Sequence, residues 1–188
     1  MQKRLLIISA PSGAGKTTIA GRLMSVFPQL TFSVSATTRS RRPGEVDGTH
    51  YYFLTHDEFK QRIAAGDLVE YEEIYGNYYG TLRSEIQTAL DAGRTLIFDV
   101  DVKGALSLKQ QFPDQCLLVF IAPPSLEVLH ERLAGRKTED EAQLARRMDR
   151  AREEMDYRSR FDIVIVNDDL ERAVGELVGK LGTLLAAE

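Results

Sequence analysis

Leu5-Leu6-Ile7-Ile8-Ser9 runs directly into Ala10-Pro11-Ser12-Gly13-Ala14-Gly15-Lys16-Thr17-Thr18, an apolar segment followed by a small-residue turn that contains Gly-Lys-Thr. The turn follows the phosphate-loop pattern G-x-x-x-x-G-K-[ST], with Ala10 in place of the first glycine. Small residues let successive backbone N–H groups curl round a phosphate, and the positive end of the following helix adds to the attraction. On this reading Lys16 reaches the β- and γ-phosphates of a donor nucleotide, and the Thr17 hydroxyl ligates Mg2+. The alternative is an ordinary strand-to-helix turn that carries Gly-Lys-Thr by chance. The order strand, loop, helix is the one the motif requires.

Outward from the loop, short apolar runs at 5–9, 31–35, 95–99, 116–122 and 163–166 alternate with amphipathic segments at 16–27, 102–112, 125–133, 139–157 and 170–186. Nearly continuous apolar runs suit strands covered on both faces, so the alternation predicts an α/β fold: a five-stranded parallel sheet flanked by helices. Run 95–99 ends in Asp99, where a phosphate-loop protein keeps a second metal-orienting group acting through water. A helix-capping or strand-end acid is its alternative. Asp101, two residues on, points the same way while the chain stays extended, so one carboxylate can serve metal and the other substrate. Leu144, Met148, Ala151 and Met155 follow helical spacing and are expected to face the core.

The 188 residues are 43% hydrophobic and 28% charged, which suits one domain with a real core. With 24 Lys and Arg against 28 Asp and Glu, the net charge of -4 supplies no field for a nucleic-acid backbone. One cysteine, Cys116, and three histidines without metal-ligand spacing predict a reducing compartment and no structural zinc. The first apolar run is too short for a signal peptide, and no stretch approaches the roughly 20 apolar residues that span a bilayer. The expected location is the cytoplasm, with neither nucleic acid nor membrane as partner.

The alternation breaks between about 35 and 83. Segments 51–54 and 68–75 read as strands, and Thr55-His56-Asp57-Glu58 is a capping-box start for a helix that ends before Gly66. This is an inserted α+β lobe. Its stretch Ser35-Ala36-Thr37-Thr38-Arg39-Ser40-Arg41-Arg42-Pro43-Gly44-Glu45 packs three arginines among hydroxyls, as a phosphate-bearing acceptor would need; the alternative is a solvated basic loop. A second insertion follows Leu133. There Ala134-Gly135-Arg136-Lys137 interrupts one helix and Thr138-Glu139-Asp140-Glu141 caps the next, which predicts a helical lid. Arg132, Arg136, Arg146, Arg147 and Arg150 cluster here, and arginines on a closing segment can stabilise charge on a moving phosphoryl group. Arg146 and Arg150 are expected to belong instead to a solvated helix face with Glu/Arg pairing.

Taken together, Ser9 to Lys16, Thr37-Thr38-Arg39, Arg42-Pro43-Gly44-Glu45, Gly76-Asn77-Tyr78-Tyr79-Gly80-Thr81, Asp99-Val100-Asp101, Gly135-Arg136, Arg147-Met148 and Val166-Asn167-Asp168-Asp169 resemble the guanylate kinases of bacterial type. The resemblance covers nearly the whole chain. A phosphate loop alone is widespread, whereas Gly-Asn-Tyr-Tyr-Gly-Thr in register with the rest is specific. It implies that Arg39, Arg42, Tyr51 and Tyr79 hold the GMP phosphate while Ser35, Glu70, Thr81 and Asp101 hold the guanine. It also implies that Ser12, Gly13, Ala14, Gly15, Lys16, Thr17, Thr18, Arg136 and Asn167 bind ATP, that Lys16, Arg136 and Arg147 are catalytic, and that Thr17 and Asp99 serve Mg2+. The chemistry agrees for Glu70, because guanine offers N1–H and N2–H2 donors that a carboxylate accepts. Otherwise Glu70 reads as a surface strand acid.

The resemblance further implies a core strand order of 2-3-1-4-5. The parts would be a core at about 1–34, 84–133 and 158–188, a GMP-binding lobe at about 35–83 and a lid at about 134–157. Two positions depart from the family pattern: Lys103 where glutamine is usual, and Lys137 where glycine is common. The expected reaction is Mg2+-dependent, direct in-line transfer of the ATP γ-phosphate to GMP, and to dGMP, giving ADP and GDP. The rival readings are a small phosphate-loop kinase with another acceptor, and a non-catalytic guanylate-kinase-like module that holds a phosphopeptide. The complete loop with Lys16, together with Arg136 and Arg147, argues against the second.

Overall fold

Every residue of the strand Leu5–Ser9 is buried, and the computed structural model, which describes residues 3–135 and 141–185, puts this strand at the centre of a sheet. In chain order the first half comprises β1 (Leu5–Ser9), α1 (Lys16–Val26), β2 (Leu30–Phe32), β3 (Ala36–Thr37), β4 (Tyr52–Phe53), α2 (His56–Ala65), β5 (Leu68–Ile74) and β6 (Asn77–Leu82). Then follow α3 (Arg83–Asp91), β7 (Thr95–Asp99), α4 (Val102–Gln111), β8 (Cys116–Ala122), α5 (Leu126–Ala134), α6 (Glu141–Asp156), a 3-10 turn at Tyr157–Arg160, β9 (Ile163–Val166) and α7 (Leu170–Leu185).

Strands β2-β7-β1-β8-β9 form one sheet, parallel throughout. Counting only these five, the order is 2-3-1-4-5, as the resemblance implied. Side chains alternate between two helix layers, which is why the strands read as unbroken apolar runs. Leu6, Ile8, Val119 and Ile121 pack with Ile19 and Leu23 of α1 and Leu177 of α7. Leu5, Ile7, Leu118 and Phe120 pack on the other face with Ile86 of α3 and Leu108 of α4. Met148 and Ala151 of α6 are buried against Leu129 and Leu133 of α5, with Leu144 beside them, while Met155 packs with the second layer.

The second strand is shorter than 31–35 predicts. It pairs with β7 only over Leu30–Phe32, and after Ser33 donates to the Ile97 carbonyl the chain leaves the sheet to begin another. That other sheet, ordered β4-β3-β6-β5, carries the antiparallel hairpin β5–β6 and packs Phe59 of α2 beneath it. The predicted capping box of α2 is present, with Thr55 and Glu58 exchanging both hydrogen bonds. Helix α3 has no counterpart among the predicted helices. It starts straight out of β6 with no side-chain cap, so the sequence carries no punctuation at its start. The capping segment predicted at Thr138 to Glu141 lies mostly outside the described residues, as do Arg136 and Lys137.

Candidate active site

Gly15 closes the phosphate loop as the N-cap of α1, at φ 94° in the left-handed region that favours glycine. A Cβ there would also collide with Asn167 Nδ2, which donates to the Ala14 carbonyl at 2.7 Å. Arg132 Nη2 in turn donates to the Asn167 carbonyl at 2.9 Å. The end of β9 and helix α5 therefore clamp the loop from behind, and two sequence-predicted residues, Asn167 and Arg132, lie in that clamp.

Parallel pairing sets Ile8 beside Asp99, so the loop after β1 and the acid ending β7 meet. Lys16 Nζ lies 2.7 Å from Asp99 Oδ1 and donates to the Val100 carbonyl at 2.9 Å. Thr17 Oγ1 donates to Asp99 Oδ2 at 2.7 Å. Among the described residues no group of three or more His, Cys, Asp and Glu could cage a metal. A hydroxyl and one carboxylate are hard oxygen donors that suit Mg2+, an ion that keeps most of its positions for water and phosphate oxygens. A cavity of about 370 Å3 opens here, with Ser12, Gly13 and 15–18 on one side and Arg147, Arg150 and Glu154 of α6 on another.

A smaller cavity of about 190 Å3 adjoins it and shares Lys16, Tyr51, Asp99 and Asp101 with it. Ser35, Glu70 and Tyr79 also line this space. A register shift between Leu68 and Glu70 sets Glu70 opposite Thr81, whose buried hydroxyl donates to Glu70 Oε1 at 2.6 Å. Thr81 thus reaches the site through Glu70. Burial raises the Glu70 carboxyl to about 7, repulsion from Asp101 adds to the rise, and the Thr81 hydrogen bond opposes it. Asp101 caps α4, accepting from the Gly104 N–H at 2.7 Å, and a Cβ on Gly104 would meet Glu70 Oε2 at 2.8 Å. Only glycine lets α4 approach the two acids so closely.

Arg39 lies over the Tyr51 ring, 5.3 Å from its centroid, and the Tyr51 and Tyr79 rings meet edge on at 6.3 Å. Its guanidinium forks onto both oxygens of Glu45 at 2.8 and 2.9 Å, and the Arg42 N–H donates to the same carboxylate at 2.7 Å. These bonds hold the Glu45 carboxyl down to about 2. The Arg42 side chain itself is exposed. Sequence reasoning quoted Glu45 in a motif and missed this function, since only its spacing from Arg39 could have signalled it.

One expectation is overturned. Arg150 is no solvated surface residue: besides pairing with Glu154 one turn on, it is held by Asp101 and by Glu72, 49 and 78 residues away, where helical spacing cannot point. Glu72 and Glu154 were missed with it.

The guanylate kinase family model matches residues 2–182. Guanylate kinases of Chlorobium luteolum and Salinibacter ruber are each 50% identical to the chain, over 98% of it and over 94% and 98% of their own lengths. A crystal structure of guanylate kinase from Anaplasma phagocytophilum superposes with a TM-score of 0.77 at 31% identity, covering 95% of this chain and 84% of that one. Shikimate kinase from Bacteroides thetaiotaomicron, at 15% identity and a TM-score of 0.53 over 95% of this chain and 98% of its own, shares the fold alone. A phosphate loop clamped onto a five-stranded parallel sheet, a buried acid pocket beside it and these likenesses over nearly the full length lead to one conclusion: the chain belongs to the guanylate kinase family, the ATP:GMP phosphotransferases among the nucleoside monophosphate kinases.

Proposed function

We propose that the chain transfers the γ-phosphate of ATP to GMP, and to dGMP, with Mg2+, giving ADP and GDP in the cytoplasm. The observation that carries this reading is the shared wall between the two cavities, where Lys16, Asp99 and Asp101 face both the phosphate loop and the acid pocket. Phosphoryl transfer needs that adjacency, because the catalyst acts by holding donor and acceptor in line and by neutralising charge.

In this reading the loop residues 12–18 bind the ATP phosphates and Lys16 draws charge from the β- and γ-oxygens. Asn167 keeps the loop in shape. Thr17 and, through water, Asp99 hold Mg2+, which supplies charge neutralisation at those oxygens. Ionised Glu70 accepts from guanine N1–H and N2–H2, supported by Thr81, with Ser35 and Asp101 completing the base pocket. Arg39, Arg42, Tyr51 and Tyr79 take the acceptor phosphate, and Glu45 presets the Arg39 fork. Arg136 and Arg147 stabilise the transferring group from the lid. The parts of the chain are then a core at 1–34, 84–133 and 158–188, an acceptor lobe at 35–83 and a lid at 134–157. No helix among the described residues is long and apolar enough to cross a membrane, and the single buried thiol, Cys116, is pushed up to about 12 by burial and stays inert.

A coupled assay of ADP formation from ATP, with GMP, dGMP, AMP, UMP and dTMP in turn, tests the proposal. GMP and dGMP are expected to be used, the others poorly, and chelation of Mg2+ to stop turnover. Lys16→Ala is expected to lower kcat by roughly 100-fold or more while the protein stays folded. Turnover of AMP or UMP equal to that of GMP would overturn the acceptor assignment.

A further inference from the structure

Arg150 on α6 is held by three carboxylates from three parts of the chain. Its Nη2 donates to Glu72 Oε2 on β5 at 3.0 Å and to Asp101 Oδ2 at the start of α4 at 2.9 Å, while its Nε donates to Glu154 Oε1 at 2.9 Å. This is no loose surface pairing: the side chains are 27% exposed for Arg150, 22% for Glu72, 13% for Asp101 and 7% for Glu154.

Glu72 and Glu70 are two apart on β5, so their side chains leave the strand on the same face. Holding Glu72 therefore holds the strand segment that carries Glu70. Asp101 has one oxygen on the Gly104 N–H and the other on Arg150, which leaves its carboxylate a single orientation. One guanidinium borne by α6 thus governs both acids that flank the base pocket. Resting on the acceptor site proposed above, we infer that Arg150 is a positioning residue for the acceptor: by bridging Glu72 and Asp101 it makes acceptor affinity depend on the placement of α6. Arg147, three residues earlier on the same helix, lines the cavity at the phosphate loop, so the same helix borders both sites.

Nη2 spans Glu72 and Asp101 while Nε holds Glu154, so the bridge and the Glu154 pair together need two nitrogens of one planar guanidinium, whereas lysine offers a single point charge on a side chain one atom shorter. A merely structural Arg150 would serve as counter-ion to the buried Glu154, whose Oε2 has no hydrogen-bond partner. The two roles separate on Arg150→Lys, which keeps a cation beside Glu154 and breaks the bridge. Wild type, Arg150→Lys, Arg150→Ala, Glu72→Gln and the double variant Arg150→Ala/Glu72→Gln are compared for KM of GMP and of ATP, kcat and Tm. Arg150→Lys is expected to keep a near wild-type Tm yet raise the KM for GMP roughly 5-fold or more, with kcat little changed. Glu72→Gln is expected to raise the same KM, and the double variant to be no worse than Arg150→Ala, because a broken bridge cannot be broken twice. An unmoved KM for GMP in Arg150→Lys, or fully additive effects in the double variant, overturns the role of Arg150. Should Arg150→Ala fail to fold, Arg150→Lys and Glu72→Gln decide on their own: both must raise the KM for GMP. Wild type inert toward GMP would instead overturn the acceptor assignment on which the role rests.

Discussion

Burial makes Glu70 a group that changes charge near neutrality, and its two protonation states do different things. Only the ionised form accepts from both guanine donors, so kcat/KM for GMP should climb as pH rises through about 7 and level off above it. Glu70→Gln should remove that step and weaken GMP use by ~2 kcal/mol or more, since a charged acceptor is lost. A pH profile for GMP that Glu70→Gln leaves unchanged would remove Glu70 from the base pocket. Stability runs the other way. The folded carboxyl keeps its proton to higher pH than the unfolded chain, whose ordinary value is 4.5, so this contribution is full below 4.5 and is lost as pH rises to about 7. Urea midpoints at both ends of that window should fall with pH in wild type, and fall less in Glu70→Gln.

The phosphate loop is an element that its own residues hold in shape only by a turn, the Ala14 N–H donating to the Pro11 carbonyl at 3.0 Å. Its neighbours do the rest: Asn167 at the end of β9 donates to Ala14, and Arg132 from α5 fixes Asn167. Asn167→Ala leaves a carbonyl of the loop unpaired in a buried place, which costs about 1–3 kcal/mol. The expected outcome is a lower Tm with a raised KM for ATP and an unchanged KM for GMP, read by denaturation and steady-state kinetics. An equal rise in both KM values would mean that the clamp supports the whole site rather than the donor loop.

Across the molecule, the proposed acceptor groups sit on two sheets and their loops. Glu70 on the lobe sheet already packs beside Asp101 and Gly104 of the core, while Arg39 and Arg42 lie on the loop after β3. On the proposed reading GMP must reach from the acid pocket to those arginines, so it would bind an arrangement with that loop drawn in more tightly and shift the molecule toward it. Val26 on the core and Val46 on the lobe are exposed, and Cys116 is buried, so fluorophores on cysteines replacing the two valines would report their separation. Saturating GMP is expected to shorten that distance by more than ~2 Å, and Arg42→Ala to remove most of the change. A distance indifferent to GMP, with or without an ATP analogue, would count against closure.

The five core strands and the phosphate loop were legible in the sequence because they depend on short-range signals. A strand buried on both faces must be apolar at consecutive positions, and a phosphate cradle must be small and glycine-rich whatever lies around it. Four of the five strands coincide with the apolar runs, and the fifth differs because the chain leaves for another sheet. Helix α3 and strands β3 and β6 left too weak a local pattern, being uncapped, two residues long or mixed in polarity. Acids and arginines are harder still, since in a helix they look alike whether solvated or paired. As part of a helix face with Glu/Arg pairing Arg150 reads as a surface residue, and only the folded chain brings it Asp101 and Glu72. Glu45 and Thr81 likewise take their roles from partners that the turn after β3 and the bulge in β5 deliver. Local chemistry names the candidates. The choice among charged groups is made by which of them folding removes from water together, because a buried charge persists only beside a partner.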